Sequence, residues 1–208
     1  MKKKPPAEGL EPRKAPAQRR SAATVDAIVE AAARILEADG LAGYTTNAIA
    51  ARAGVSIGSL YQYFPNRDAL TAALIERETG ALLAQADLAA QSIRCADALA
   101  LLIDAAVAHQ MRRPDLARIL DFEERRLPVG EHNRRVGEVL QEAVVTVLAL
   151  PDGPAIVDRQ TAAFDVLALV RGILDMAGER RETDAAALRA RVAIAVDGYL
   201  NGVATAGL

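Results

Sequence analysis

The segment AGVSIGSLYQYF, residues 53–64, narrows the possible folds more than any other stretch of this 208-residue chain. Gly54 can take the left-handed conformation that ends a helix, and Ser56, two residues on, is a strong N-cap for the next one. Val55 before the cap and Leu60 at the fourth helical position form the pair of a hydrophobic staple, which fixes the angle at which the second helix sets off. Leu60 and Phe64 lie four apart, share one face and anchor this short helix in a core. Ile57, Gly58, Ser59, Tyr61 and Gln62 are left for the outside or the flanks. The segment predicts two helices joined by a tight, specified turn.

Helical spacing continues in both directions. Val25, Ile28, Val29, Ala32, Ile35 and Leu36 follow the i, i+3, i+4, i+7 pattern of one amphipathic helix, with Ser21 or Thr24 able to cap its start and Gly40 placed to end it. A short helix from about Thr45 through Arg52 precedes Gly54. Asn66 can cap a fourth helix that begins at Arg67. Further helices are expected at about 93–111, from Pro114, where proline suits a first turn, to near Pro128, at about 131–150, 155–177 and 183–203. No strand is convincing and no repeat of solenoid length shows.

Composition supports the same class. Half of the chain is apolar, with only three Phe, four Tyr and no Trp, so the apolar fraction rests on the good helix formers Ala and Leu. The expected fold is all-α, with about nine helices. The one cysteine, Cys95, has no partner for an internal disulfide, which suits a reducing compartment, and it reads as a small buried apolar residue. The basic start MKKK runs into PPAEGLEPRKAPAQRR rather than an apolar signal core, and the longest apolar stretches fall well short of the ~20 residues that span a bilayer. A cytoplasmic protein with no membrane partner is expected.

Charge is uneven along the chain. Residues 1–20 carry seven basic side chains against two acidic ones, a net +5, so the remainder is −7 beside the total of −2. Such a Pro- and Lys-rich arm is expected to be disordered when free. It suits contact with a polyanion or serves as a solvated tail.

Two short helices around a glycine-containing turn form a helix-turn-helix, whose second helix lays its first residues against base edges in the major groove. Gly58 in that first turn costs about 1 kcal/mol of helix propensity relative to Ala, and its missing side chain suits close approach of a partner. The N-terminal N–H groups favour phosphate, with Ser59, Tyr61 and Gln62 adding neutral hydrogen bonders. Ile57 can meet a thymine methyl. The same geometry also occurs as plain packing, with Tyr61 and Tyr63 as half-buried aromatics.

The run TTNAIAARAGVSIGSLYQYFPNRDAL resembles the DNA-binding segment of the TetR family of bacterial transcriptional regulators, over about Ser21 to Leu82. The resemblance implies a three-helix N-terminal helix-turn-helix domain over 21–82 behind the arm of 1–20, and a C-terminal helical domain over 83–208 for effector binding and dimerisation. It implies a homodimer that binds a palindromic double-stranded operator and is released by a small-molecule effector. Carried over position by position, it gives phosphate contacts to Thr45, Tyr61 and Arg67, with Thr46 beside them in the motif, and base or backbone contacts to Ser56, Ile57, Gly58, Ser59 and Gln62. Ile57 stands where many members carry a basic or polar residue, Gln62 where His is frequent, and Arg67 where Lys is usual.

In the C-terminal part, FDVLALVRGILDMA is apolar on more than one face and is expected between two neighbours. Gly198 and Gly202, with Ala195 nearby, make a ridge suited to close helix packing. The resemblance implies that the last two helices form a four-helix interface between subunits; packing within one subunit is the other reading. An effector has candidate polar contacts in His109, Gln110, Arg118 and Arg171, and apolar lining in Met111, Phe122 and Phe164. Each also has an ordinary reading as core, surface or ion-paired side chain.

An enzyme is not expected. Only His109 and His132 supply imidazole, and there is no phosphate-loop motif, no GxGxxG and no metal-spaced Cys or His set. No cofactor or metal is implied. The run Glu123, Glu124, Arg125, Arg126 reads as a solvated mixed-charge face. A ligand-responsive regulator acting through a protein partner, without touching DNA, is the remaining alternative.

Overall fold

A computed structural model describes residues 19–127 and 130–207. Among them the chain forms nine α-helices and no strand: α1 Arg19–Gly43, α2 Thr46–Ala53, α3 Ile57–Tyr63, α4 Arg67–Ala90, α5 Cys95–Arg112, α6 Pro114–Arg126, α7 Gly130–Leu148, α8 Arg159–Glu179 and α9 Ala185–Ala206. The all-α expectation holds. The basic arm lies outside the described residues except for its last two, which open α1.

Two compact units account for the chain. The first takes the residues through Arg77 and regains Ile119–Glu131, while the second holds Glu78–Arg118 and His132–Leu208. The head is therefore discontinuous in sequence, which a division at Leu82 does not anticipate.

In the first unit, Ile28, Val29, Ala32, Ile35 and Leu36 of α1 are all buried, as their spacing requires. The helix begins earlier than Ser21, so neither Ser21 nor Thr24 caps it; both lie within its first turns. Gly40 interrupts α1 at φ 61°, ψ −161°. That combination is open essentially to glycine alone but is not the left-handed helical cap expected there. The left-handed cap falls at Gly54, φ 68° and ψ 28°. There the Gly54 and Val55 amides donate to the carbonyls of Ala51 and Ala50 at 3.2 and 3.0 Å, closing α2 in a Schellman motif. Ser56 caps α3 by accepting from the Ser59 amide at 3.0 Å, and Asn66 caps α4 by accepting from the Ala69 amide at 2.8 Å. Leu60 and Phe64 are completely buried.

The second unit has its core along matching rows of four helices: Leu99, Ile103 and Val107 of α5, Val144, Val147 and Leu148 of α7, Val166 and Leu174 of α8, and Leu188, Val192, Val196 and Leu200 of α9. The α9 row repeats every fourth residue, so a single face of that helix meets the core. Cys95 is buried among them, and its amide donates to Asp152 Oδ1 at 2.8 Å. α8 starts four residues later than its periodicity suggests because Asp158 caps it, accepting from the Thr161 amide at 3.0 Å and the Thr161 hydroxyl at 2.7 Å. Asp184 caps α9 in the same manner, accepting from the Ala187 amide at 2.9 Å.

Candidate nucleic-acid interface

The turn between α2 and α3 fixes what the head presents. With Leu60 and Phe64 drawn into the core, the start of α3 turns Ile57, Gly58, Tyr61 and Gln62 outward, all exposed, with Ser59 partly so. Thr45, Ser56 and Arg67 are exposed as well, and Thr46 is partly buried. All nine residues expected at DNA belong to one compact unit.

Several of these side chains are held by one another. The Thr45 hydroxyl accepts from the Ala48 amide at 3.2 Å, which caps α2 and leaves its own proton to donate outward. The Ser56 and Ser59 hydroxyls are 2.8 Å apart. Thr46 Oγ1 and the Tyr61 hydroxyl are 3.2 Å apart and join the first turn of α2 to α3. Gly58 differs from its neighbours. A Cβ added there would meet only Ser56 Oγ at 3.8 Å, an ordinary contact, and its φ is not positive. Nothing among the described residues of the head requires a glycine at this position.

Arg67 rests on a platform that its position in the sequence does not reveal. Its guanidinium lies 5.9 Å from the centroid of the Tyr44 ring, close enough for cation–π attraction. Tyr44 is 1% exposed. The Thr71 hydroxyl reaches the Tyr44 hydroxyl at 3.2 Å and the Arg67 carbonyl at 3.0 Å, its single proton serving one of them at a time. Burial pushes the Tyr44 phenol up to about 12, against the opposing pull of Thr71 and Arg67, so the ring stays neutral. Tyr44 and Arg67 lie 23 positions apart, so no periodic signal links them.

The solvated reading of the 123–126 run does not hold for Glu123 or Arg126. Glu123 is 2% exposed. Arg126 Nη2 donates to Glu123 Oε2 at 2.6 Å and to Asp68 Oδ1 at 2.7 Å, joining α6 to the start of α4 within the first unit. A carboxylate removed from water needs a close counter-charge, and a residue 58 positions from Asp68 supplies it.

The seven side chains singled out for an effector are divided between the two units. His109, Gln110 and Met111 occupy the last turns of α5 in the second unit, where Gln110 is buried and Met111 packs partly against the core. A Cβ at Gly178 would come within 2.6 Å of Gln110 Nε2, so the glycine makes room for the amide. Arg118 lies at the edge of the second unit, and Phe122 belongs to the first, where it is exposed. Phe164 is exposed on α8, and Arg171 pairs with Asp175 at 3.8 Å. Three buried nitrogens of this set, His109 Nδ1, Gln110 Nε2 and Arg118 Nε, have no hydrogen-bond partner among the described residues. The described residues contain no cluster of three His, Cys, Asp or Glu side chains that could hold a metal ion, and no helix long and apolar enough to cross a membrane.

A capped pair of short helices that buries Leu60 and Phe64 and turns a hydroxyl- and amide-bearing first turn outward is the reading head of a DNA-binding transcriptional regulator. Residues 28–74 match the family described as bacterial regulatory proteins, tetR family, and residues 95–200 match the tetracyclin repressor-like C-terminal domain. An uncharacterized HTH-type transcriptional regulator of Mycobacterium tuberculosis is 29% identical over 184 residues, covering 86% of this chain and 87% of that protein. A transcriptional regulator from Rhodococcus matches in fold with a TM-score of 0.73 at 22% identity, over 86% of this chain and 97% of that one. The regulator FadR from Bacillus subtilis, solved in complex with stearoyl-CoA, matches with a TM-score of 0.70 at 18% identity, over 86% and 98%. The chain belongs to the TetR family of bacterial transcriptional regulators and is not an enzyme.

Proposed function

We propose that this regulator is a dimeric repressor that grips a palindromic operator with two copies of its head and lets go when the second unit takes up a small molecule. The observation that carries the DNA contact is Gly58. A residue that costs helix stability, has an ordinary φ and has free space for a side chain inside the protein is explained by a surface that must come very close from outside. Ile57, Tyr61, Gln62 and Arg67, exposed around it, give that visitor apolar, neutral and cationic contacts, with phosphate taken by the hydroxyls and Arg67 and bases by the start of α3. Such a role places the protein in the cytoplasm.

Dimerisation is supported by an open stripe on the last two helices. Phe164, Ala168, Gly172 and Met176 of α8 recur every fourth residue and are exposed, as are Ile194, Gly198 and Gly202 of α9. Nothing lies within 4 Å of a Cβ at Gly172, Gly198 or Gly202, so the ridge expected to pack closely has no partner among the described residues of its own subunit. A hollow of about 850 Å³ beside it is lined by Leu169, Ile173, Tyr199 and their neighbours. A second copy related by a two-fold axis covers such a face with its own and presents two heads to a two-fold related site. Effector control is supported by the buried nitrogens that lack partners in the second unit, and by the ligand-bound state of a regulator of similar fold.

The test is selection from a random duplex library with the full chain, followed by light scattering on the free and DNA-bound protein. Enrichment of a palindrome bound by a dimer is expected. A monomer, or a library that shows no enrichment while the folded protein captures another protein instead, would replace this reading with that of a regulator acting through a protein partner.

A further inference from the structure

Between α4 and α5 of the second unit lies a groove of about 340 Å³, lined by Ala81, Leu82 and Gln85 on one side and Leu101, Asp104, Ala105, Ala108, His109 and Arg112 on the other. Its volume is at the low end of the ~300–1,000 Å³ typical of ligand sites. The apolar residues run along its length, while the ionic groups are divided between its ends. Asp104 and Arg112 lie eight residues apart on α5, about 12 Å along a helix.

Each end holds an ion pair, and the second carries one more cation, Arg113, whose Nη1 lies 3.9 Å from Glu78 Oε1. Asp104 is paired with Arg189, which neutralises the first end. At the other, the buried Glu78 carboxylate of α4 is bonded by Arg112 through Nη2, while the Arg112 side chain as a whole stays 53% exposed. A guanidinium carries five N–H donors, so the bond to Glu78 leaves others for the groove. His109 lines the same end. Its ring has one buried nitrogen, Nδ1, that no described neighbour satisfies.

We propose that this groove binds a small monocarboxylic acid with a short aliphatic chain, its carboxylate held by Arg112 and His109 and its chain lying along Leu82, Leu101, Ala105 and Ala108. The proposal rests on the reading of the chain as an effector-controlled regulator, and names the effector's chemical class. The alternative of an amine is disfavoured because the acidic side chain that lines the groove, Asp104, is already taken by Arg189. In the empty groove His109 is neutral, because burial lowers its affinity for a proton more than Glu78 raises it, with Arg112 also lowering it. An incoming carboxylate adds a negative partner, so binding takes up a proton and weakens as pH rises.

Titration calorimetry on the full chain tests this, using straight-chain carboxylates from butanoate to decanoate, with the primary amides of equal length as neutral controls. Measurements in two buffers of different protonation heat report proton uptake. Carboxylates are expected to bind at least tenfold tighter than their amides, with net proton uptake at pH 7 and affinity falling from pH 6 to pH 8. His109→Gln should abolish the proton uptake while retaining part of the affinity, and Arg112→Gln should reduce affinity tenfold or more. Ala108→Leu, which fills the groove without altering its charge, should abolish binding while melting behaviour shows the protein still folded. Absence of carboxylate binding, equal binding of acids and amides, or carboxylate binding that survives Ala108→Leu would overturn the proposal. Operator release is read separately, on DNA recovered by selection. Carboxylates that bind in the groove without loosening operator DNA would leave this site intact and remove the release mechanism, whereas release by another ligand class with no carboxylate binding would do the reverse.

Discussion

The hydroxyls of Thr46 and Tyr61, fifteen residues apart on the two helices of the motif, lie within 3.2 Å of each other. Tyr61 therefore braces α3 against α2 with the same oxygen that the proposed phosphate contact would use. Tyr61→Phe should lower head stability by about 0.5–1.5 kcal/mol, the net worth of one hydrogen bond, and should weaken operator binding as well. Thr46→Val removes the brace but keeps the phenol. If operator affinity follows stability equally in both variants, measured by denaturant melts and DNA titration at two salt concentrations, Tyr61 has no contact of its own with DNA.

At Gly58, stability and function should move in opposite directions. Gly58→Ala adds helix propensity worth about 0.5–1 kcal/mol and meets only Ser56 Oγ at an ordinary 3.8 Å. The denaturant midpoint should rise with an unchanged slope while operator affinity falls. A variant that gains stability and keeps full affinity would show that no surface approaches Gly58 closely.

Arg126 is expected to matter far more than its position in a charged run suggests. Arg126→Met leaves Glu123, 2% exposed, without the guanidinium that now lies 2.6 Å away. Breaking a buried pair on one side costs roughly 3–5 kcal/mol, and the partial exposure of Arg126 places the expected loss at the lower end. Adding Glu123→Gln to that variant should recover part of the loss. Thermal melts of the parent, the two single variants and the double variant provide the coupling energy directly.

His109 should leave a mark on the pH dependence of folding. Its affinity for a proton is lowered in the folded state from the ordinary 6.5, chiefly by burial. The unfolded chain then binds the proton first as pH falls, so this residue's contribution to stability is present above about pH 6.5 and lost progressively below it. His109→Gln should flatten the slope of stability against pH below about 6.5. An identical slope in both proteins would place the titration elsewhere.

Gly198 tests the open face of α9. It is exposed, and a Cβ placed on it would meet nothing within 4 Å, so Gly198→Glu costs the isolated subunit little. If a second copy packs there, the same change introduces bulk and an unpaired carboxylate into a close contact, costing several kcal/mol of association, by about 1–3 for overpacking with desolvation added. Light scattering should show dissociation, and operator affinity should fall while melting of the head is unaffected. A variant that stays dimeric with full affinity would move the interface away from Gly198.

Local chemistry was legible in the sequence and distant pairing was not. Gly54, Ser56 and Asn66 act where turn and cap preferences place them, because each works through backbone groups two or three residues away. Leu60 and Phe64 are buried because four-residue spacing on a short helix leaves them no other face. Asp158 and Asp184 carry the same kind of signal, a short acidic cap three residues before the amide it serves, and reading them as caps sets the starts of α8 and α9. The platform under Arg67 and the counter-ion of Glu123 were beyond reach for the opposite reason. Tyr44 and Arg126 come to their partners through the packing of separate helices, and a buried Glu beside an Arg looks in sequence like any solvated pair. The residues singled out for an effector meet the same limit: His109 and Gln110 are neighbours in the chain, yet one lines a groove and the other fills the space left by Gly178.

The return of Ile119–Glu131 to the first unit bears on how such regulators can be recombined. A contiguous head would move between proteins by a single crossover, carrying its DNA preference to a new sensor. Here a transplant cut after α4 leaves behind Glu123, Arg126 and the buried Leu127, and sets Asp68 of the donor against whatever the recipient's sixth helix supplies. Exchange of specificity by this route needs two matched junctions rather than one. On the proposed reading, gradual substitution at the exposed start of α3 would reach a new operator without disturbing either.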